Sequence, residues 1–276
     1  MDVIQFLLSL IQTELFEIKF VLGAFFGLCL GLTGVGGGVL LIPMLQIVCD
    51  MNPVLAVGTA SLISSLVKVT ASMSHIRAKN VSWPSACYLF VGALPVSIGV
   101  TQAVVYFNED PLYSSYMNQV INTLIIIVMI GSLIAVLCKY LQQRRGTAAA
   151  RILVDRQPYS NKKVAVLSGV FCGSILGSTG VGGGVLLLPV LNSVLKVDIK
   201  KAIGTSVVLA FFLSMVTALG YLSGGQADVH TAALFTLGSF LGIPIASWLL
   251  KSCSSNTIYI FTLNLIVISL LLTLFE

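Results

Sequence analysis

The sequence predicts an all-α polytopic membrane protein built from two inverted repeats, each a Gly-tipped helical hairpin followed by three transmembrane helices. Three observations carry this prediction: an apolar composition, an internal duplication, and the placement of the basic residues. Apolar residues make up 57% of the 276 positions and charged residues 9%, where a soluble domain carries about 25% charged residues. The mean hydropathy is +1.02. Runs such as Ala86–Phe107, Val120–Cys138 and Thr257–Phe275 reach the ~20 residues a helix needs to cross hydrocarbon.

Residues 1–17 read as a short N-terminal interfacial segment without the basic region and small-residue cleavage site of a signal peptide. Residues 18–139 form the first membrane repeat, 140–162 a basic linker, and 163–276 the second repeat. The duplication is direct: residues 23–59 and 169–205 align without gaps at an offset of 146, with 20 of 37 positions identical. Gly23, Gly27 and Gly31 return as Gly169, Gly173 and Gly177, and Thr33-Gly-Val-Gly-Gly-Gly38 returns as Thr179-Gly-Val-Gly-Gly-Gly184. Gly58-Thr59 returns as Gly204-Thr205. With a shift of three more residues, Pro95 aligns with Pro244.

Each half opens with a Gly-interrupted apolar stretch, residues 18–49 and 164–195, which is too long for one crossing at ~20 residues. It reads as a hairpin with the glycine motif at its tip. Three ordinary spans follow, 54–74, 84–107 and 117–138 in the first half and 202–222, 229–250 and 257–275 in the second. A hairpin returns to its starting side, so each half crosses an odd number of times and the second half is inverted. Charge agrees. Under inversion 13 of the 15 Lys and Arg share one side, which the positive-inside rule makes cytoplasmic, with the 140–162 linker there and both termini outside.

Broken helices at matching positions of two repeats are the best sequence pointer to a transporter binding site. Non-helical backbone at membrane depth must be buried in protein or line a cavity. Gly36, Gly37 and Gly38, with Gly182, Gly183 and Gly184, open the second arm of each hairpin. A helix N-terminus offers free N–H groups and partial positive charge, so it suits an anion. Gly34 and Gly180 complete the tips, and Thr33 and Thr179 can cap them or donate a hydroxyl proton to the ligand. Gly58, Thr59 and Ser61, with Gly204, Thr205 and Ser206, are placed to complete the donor shell. The expected partners are therefore a small anion and the lipid bilayer. The basic residues form no nucleic-acid surface.

Other readings compete. The G-x-x-x-G ladders at 23/27/31 and 169/173/177 read as close helix packing. For Thr-Gly-Val-Gly-Gly-Gly the reading that competes with a ligand role is a hairpin turn of purely structural purpose. No Asp or Glu lies in mid-span, which argues against a carboxylate proton relay. Lys68 is the one cation inside an apolar run; it reads either as a lysine snorkelling to the nearby cytoplasmic face or as an anion-attracting group on the exit path. The six cysteines are scattered, and His75 and His230 sit at span ends, so no catalytic residue, metal site or cofactor is expected. Ser174, Ser178 and Ser223 have no membrane-embedded histidine for a serine-protease arrangement.

The paired Thr-Gly-Val-Gly-Gly-Gly-x4-Pro and Gly-Thr motifs, spread over residues 18–275, resemble those of the TauE/SafE family of sulfite exporters, also called TSUP. The resemblance implies outward transport of sulfite, organosulfonates or related sulfur compounds across a bacterial inner membrane. It implicates Thr33, Gly34, Gly36–Gly38, Gly58 and Thr59, with Thr179, Gly180, Gly182–Gly184, Gly204 and Thr205. An anion channel with the same donor-lined tips is the alternative, and an assembly subunit a more distant one.

Overall fold

In a computed structural model, the chain is described over residues 16–33, 38–144, 162–180, 183–249, 252 and 255–274. These residues form ten α-helices and no strand. The first half holds α1 (Phe16–Thr33), α2 (Gly38–Cys49), α3 (Pro53–Arg77), α4 (Trp83–Glu109) and α5 (Pro111–Arg144). The second holds α6 (Lys162–Thr179), α7 (Gly183–Pro189), α8 (Ile199–Ser223), α9 (Val229–Leu249) and α10 (Ser255–Leu274). Seven of them are long and apolar enough to cross a membrane. Large apolar side chains such as Val21, Val91, Ile127, Leu167, Leu219 and Trp248 are exposed, as lipid-facing positions require.

Local chemistry sets the boundaries. The two glycine-rich tips interrupt the opening stretches, because glycine runs weaken a helix. Asn52 caps α3 by accepting the Leu55 N–H at 2.9 Å, and its repeat counterpart Asp198 caps α8 by accepting the Lys200 N–H at 3.1 Å. Asp50 and its counterpart Lys196 both take positive φ, 50° and 54°, at the ends of the second arms. The next N–H reaches back six residues in both halves, Met51 to the Leu45 carbonyl and Val197 to the Leu191 carbonyl, one residue further than in a Schellman closure. Lys79 and its counterpart Gly225 share the left-handed conformation again, at 55° and 66°. The second arms differ in one respect. α2 runs on through Pro43, whereas α7 stops at Pro189 and passes into a π-helical turn, Val190–Val194.

The helix directions follow from cross-half contacts. The Lys19 ammonium donates to Thr231 Oγ1 at 2.9 Å, so α1 and α9 begin at the same end of the bundle. The Asp228 N–H donates to Thr59 Oγ1 at 2.9 Å, which puts the start of α3 there too. α1 therefore enters from the end at which α3 begins, and α2 returns to it. In the second half, the Lys162 ammonium lies over the Tyr88 ring at 5.6 Å and the Ser82 N–H donates to Thr205 Oγ1 at 2.8 Å. α4, α6 and α8 thus all begin at the opposite end. α3 and α8 run antiparallel through the middle of the bundle, with Gly58 against Tyr221 at one end and Ser72 Oγ donating to the Val207 carbonyl at the other.

The halves interlock rather than stand side by side. α1 packs on α9 and α6 packs on α4, each hairpin gripping the other half. Gly23 and Gly27 lie against the backbone of Phe235 and Ser239, and Gly169 and Gly173 against that of Leu89 and Ala93. The ladders expected to mean packing do so. Their partners keep the offset of 146 (89 with 235, 93 with 239), as do Gly92 and Gly238, which face Val166 and Phe20. This corrects the three-residue shift inferred from Pro95 and Pro244, since the two prolines do not occupy equivalent places. Two apolar cores result. One surrounds the first hairpin, with Phe26, Ile42, Leu45 and Ile63, and the other the second hairpin, with Leu176, Leu187, Leu191 and Leu213. α5 runs to Arg144 and α6 starts at Lys162. The sequence-level N-terminal segment falls almost wholly, and the linker largely, outside the described residues.

Candidate functional site

Of the tip residues, Gly34, Gly36, Gly37 and Gly182 lie outside the described residues. Their flanks are in place. Gly38 opens α2 and is buried, and Gly183 and Gly184 open α7. Thr33 and Thr179 end the first arms, and both hydroxyls donate one turn back, to the Cys29 carbonyl at 2.8 Å and the Ile175 carbonyl at 2.7 Å. The hydroxyl protons predicted for a ligand are thus turned into their own helices, although each oxygen keeps acceptor capacity.

Gly180 follows Thr179 with φ +61°, a conformation in which a Cβ is strained. A Cβ there would stand 2.6 Å from Ser61 Oγ. Ser61 is fully buried, and its hydroxyl has no hydrogen-bond partner among the described residues. Buried hydroxyls are nearly always satisfied by protein or water, so the Ser61 hydroxyl keeps a donor available beside the second tip. Ser206, the other serine expected in the shell, is also buried, but it donates to the Ile203 carbonyl at 2.8 Å.

The Gly-Thr pairs have a different position. Gly58 lies under the Gln226 carbonyl and Gly204 under the Asn80 carbonyl, where any Cβ would overlap the backbone oxygen. Thr59 and Thr205 then accept the N–H groups of Asp228 and Ser82, the residues that lead into α9 and α4. Asn80 and Gln226, like Ser82 and Asp228, are related by the repeat offset of 146. The two motifs are reciprocal clamps, each holding the loop of the other half; Gly58 and Thr59 lie on α3 between Val57 and Ser61, the two residues beside Gly180 of the second tip.

Hydroxyls also gather where sequence reasoning had no signal. The carbonyl of Gly177 accepts from Tyr221 OH at 3.0 Å and Thr101 Oγ1 at 3.1 Å, and that of Ser178 accepts from Tyr221 OH at 3.3 Å. Beside them Ser97 and Thr217 share a hydrogen bond of 3.0 Å. The orphan carbonyls that end a helix are thus covered by donors at the second tip. The repeat counterpart of Tyr221 is His75, so a search for matched pairs passes over it. At the first tip, Thr33 lines a small cavity with Cys29, Val39, Thr262 and Ser269, between the hairpin and α10.

Along α3 the serines continue from the tip. Ser61, Ser64, Ser65, Lys68 and Ser72 recur at helical spacing on one face, and the four serines are buried. The Lys68 ammonium donates to Ser64 Oγ. The counterpart positions on α8 are Val207, Ala210, Phe211, Ser214 and Ala218, so the polar stripe belongs to one half only.

An all-helical architecture with seven helices long and apolar enough to cross a membrane and an apolar exterior is that of a polytopic membrane protein. The family model described as "Sulfite exporter TauE/SafE" matches residues 19–273. The chain belongs to the TauE/SafE family of membrane transporters. Among its relatives, "Probable membrane transporter protein YjnA" of Bacillus subtilis is 30% identical over 251 residues, covering 90% of this chain and 95% of the relative. "Probable membrane transporter protein YunE" of the same organism is 23% identical, covering 88% and 91%. A "Probable membrane transporter protein" of Xylella fastidiosa is 27% identical, covering 80% and 79%. No solved structure matches the chain significantly.

Proposed function

We propose that this protein is a secondary transporter that exports a small sulfur-containing anion, sulfite or an organosulfonate, across the bacterial inner membrane. In this reading the two halves are inverted repeats, the linker and the basic end of the bundle face the cytoplasm, and the anion binds between the glycine tips. Arg77, Lys79, Arg144, Lys162, Lys163, Lys196, Lys200 and Lys201 all belong to the end at which α4, α6 and α8 begin. That clustering supports the orientation.

The observation that carries the site is Ser61, a fully buried hydroxyl without a partner, facing the bare Cα of Gly180. An anion at the tip takes the hydroxyl proton of Ser61 and the amides at the start of the second arms, Gly36–Gly38 and Gly182–Gly184. Tyr221 and Thr101 occupy carbonyls at the end of α6 and so reduce the negative potential that a helix C-terminus brings to an anion site. Two halves of opposite direction and similar internal packing provide two states of comparable energy, the requirement for alternating access.

The test uses purified full-length protein in proteoliposomes loaded with sulfite, sulfate, taurine or sulfoacetate. Saturable flux of a sulfur anion, accelerated by the same anion on the far side, is the expected result. Ser61→Ala should raise KM by about ten- to a hundredfold through loss of one hydrogen bond to a charged ligand. Flux without saturation or trans-stimulation contradicts the carrier, and an unchanged KM in Ser61→Ala contradicts the site.

A further inference from the structure

Lys68 lies 15 residues into α3 and 9 residues from its end at Arg77. A lysine that snorkels directs its ammonium to the nearer end of the helix. Here the side chain runs the other way. Its ammonium donates to Ser64 Oγ, one turn back toward Pro53, next to residue 65 at the midpoint of α3. The charge is held near the middle of α3, which with α8 is the most buried of the apolar spans.

A cation at that depth is costly unless it has a counter-charge. The described residues supply none there. The described acids are Glu17, Asp50, Glu109, Asp110, Asp198 and Asp228, and every one lies at or next to a helix end. The repeat counterpart of Lys68 is Ser214, which is buried and whose hydroxyl also has no partner. Ser64 and Lys68 share the face of α3 that carries Ser61, and Ser61 is one turn from Ser64. A charge, two hydroxyls and the second glycine tip thus follow each other along one line.

From this geometry we infer that Lys68 and Ser64 form the counter-charge site for a transported oxyanion, one step along α3 from the tip. The inference rests on the anion-transport reading and adds to it. The ammonium supplies the charge, Ser61 and Ser64 supply oriented hydroxyls, and the site exists in one half only. The ligand class is a small mono- or divalent oxyanion; an uncharged solute of the same size gains nothing from it.

The experiment compares wild type, Lys68→Met, Lys68→Arg and Lys68→Ser, the last installing the residue found at the counterpart position. Sulfite flux in proteoliposomes and the sulfite-dependent rise in Tm are both measured. Lys68→Met and Lys68→Ser should raise KM by about ten- to a hundredfold, the worth of one charge-assisted hydrogen bond, and lose most of the Tm rise. Lys68→Arg should retain both more nearly. Wild-type KM and Tm rise in a folded Lys68→Met or Lys68→Ser protein overturn the inference while leaving the transport reading intact. If the neutral variants do not fold, wild type decides: sulfite should slow modification of Lys68 by a membrane-permeant amine reagent, read by mass spectrometry, and absence of protection overturns the inference. If wild type carries no sulfur anion, the transport reading fails separately, and the same protection assay with nitrate, sulfate and chloride tests Lys68 alone, with no protection by any anion overturning it.

Discussion

At the residue scale, identical motif residues do unlike work. The glycines of the two tips and those of the Gly-Thr pairs look alike in the sequence, yet Gly58 and Gly204 are placed by a carbonyl of the other half. Gly58→Ala and Gly204→Ala should each destabilise the protein by about 1–3 kcal/mol, since the added methyl overlaps a fixed backbone oxygen. Thr59→Val keeps the shape but leaves the Asp228 N–H without its acceptor, at a cost of about 1–3 kcal/mol. Thr205→Val does the same at Ser82, and the two losses should add because the sites are far apart. Thermal unfolding in detergent measures all four. Flux by the folded fraction of Thr59→Val separates a clamp from a ligand: an unchanged KM speaks for the clamp, a raised KM for the donor shell expected from the sequence.

At the element scale, the second hairpin is anchored by the hydroxyls of Tyr221 and Thr101, whose repeat counterparts act differently: His75 has no hydroxyl, and Ser247 donates within its own helix to the Ile243 carbonyl. Tyr221→Phe removes the donor to the Gly177 and Ser178 carbonyls and should cost about 1 kcal/mol. Hydrogen exchange should rise at residues 177–180 and stay unchanged at 27–33; a uniform rise contradicts local anchoring. The spans were legible because apolar runs of sufficient length have no other stable state in lipid, and the arms were legible because glycine runs stop helices. The ladders were legible too, since Gly23, Gly27 and Gly31 at four-residue spacing have one main use. The clamp was not legible. Thr59 reaches a partner 169 residues away, and that partner is Asp228 in one half and Ser82 in the other, so nothing in side-chain identity marks the pair. Nor was the π turn at Val190–Val194, because Pro43 and Pro189 stand in near-identical local sequence and only packing separates them. The inward turn of Lys68 depends on a rotamer, and sequence fixes its position without its direction.

At the scale of the whole molecule, one geometric statement organises the rest: the halves run in opposite directions and grip each other. It explains why α1 finds α9 and α6 finds α4, why the clamps are reciprocal, and why the basic residues gather at one end. The repeat extends in structure past the region of sequence identity, through the matched left-handed residues Lys79 and Gly225. These two positions sit in equivalent exposed turns, after α3 and α8, and so report direction; Lys79 already holds a side chain at positive φ, whereas a Cβ at Gly225 is strained, so thermal unfolding checks that Gly225→Cys is folded. The most direct measurement is sided labelling of Lys79→Cys and Gly225→Cys, in a background without the native cysteines, using a membrane-impermeant maleimide on intact cells and on inverted vesicles. The account predicts that position 79 labels only in inverted vesicles and position 225 only in intact cells. Labelling of both from the same face contradicts it.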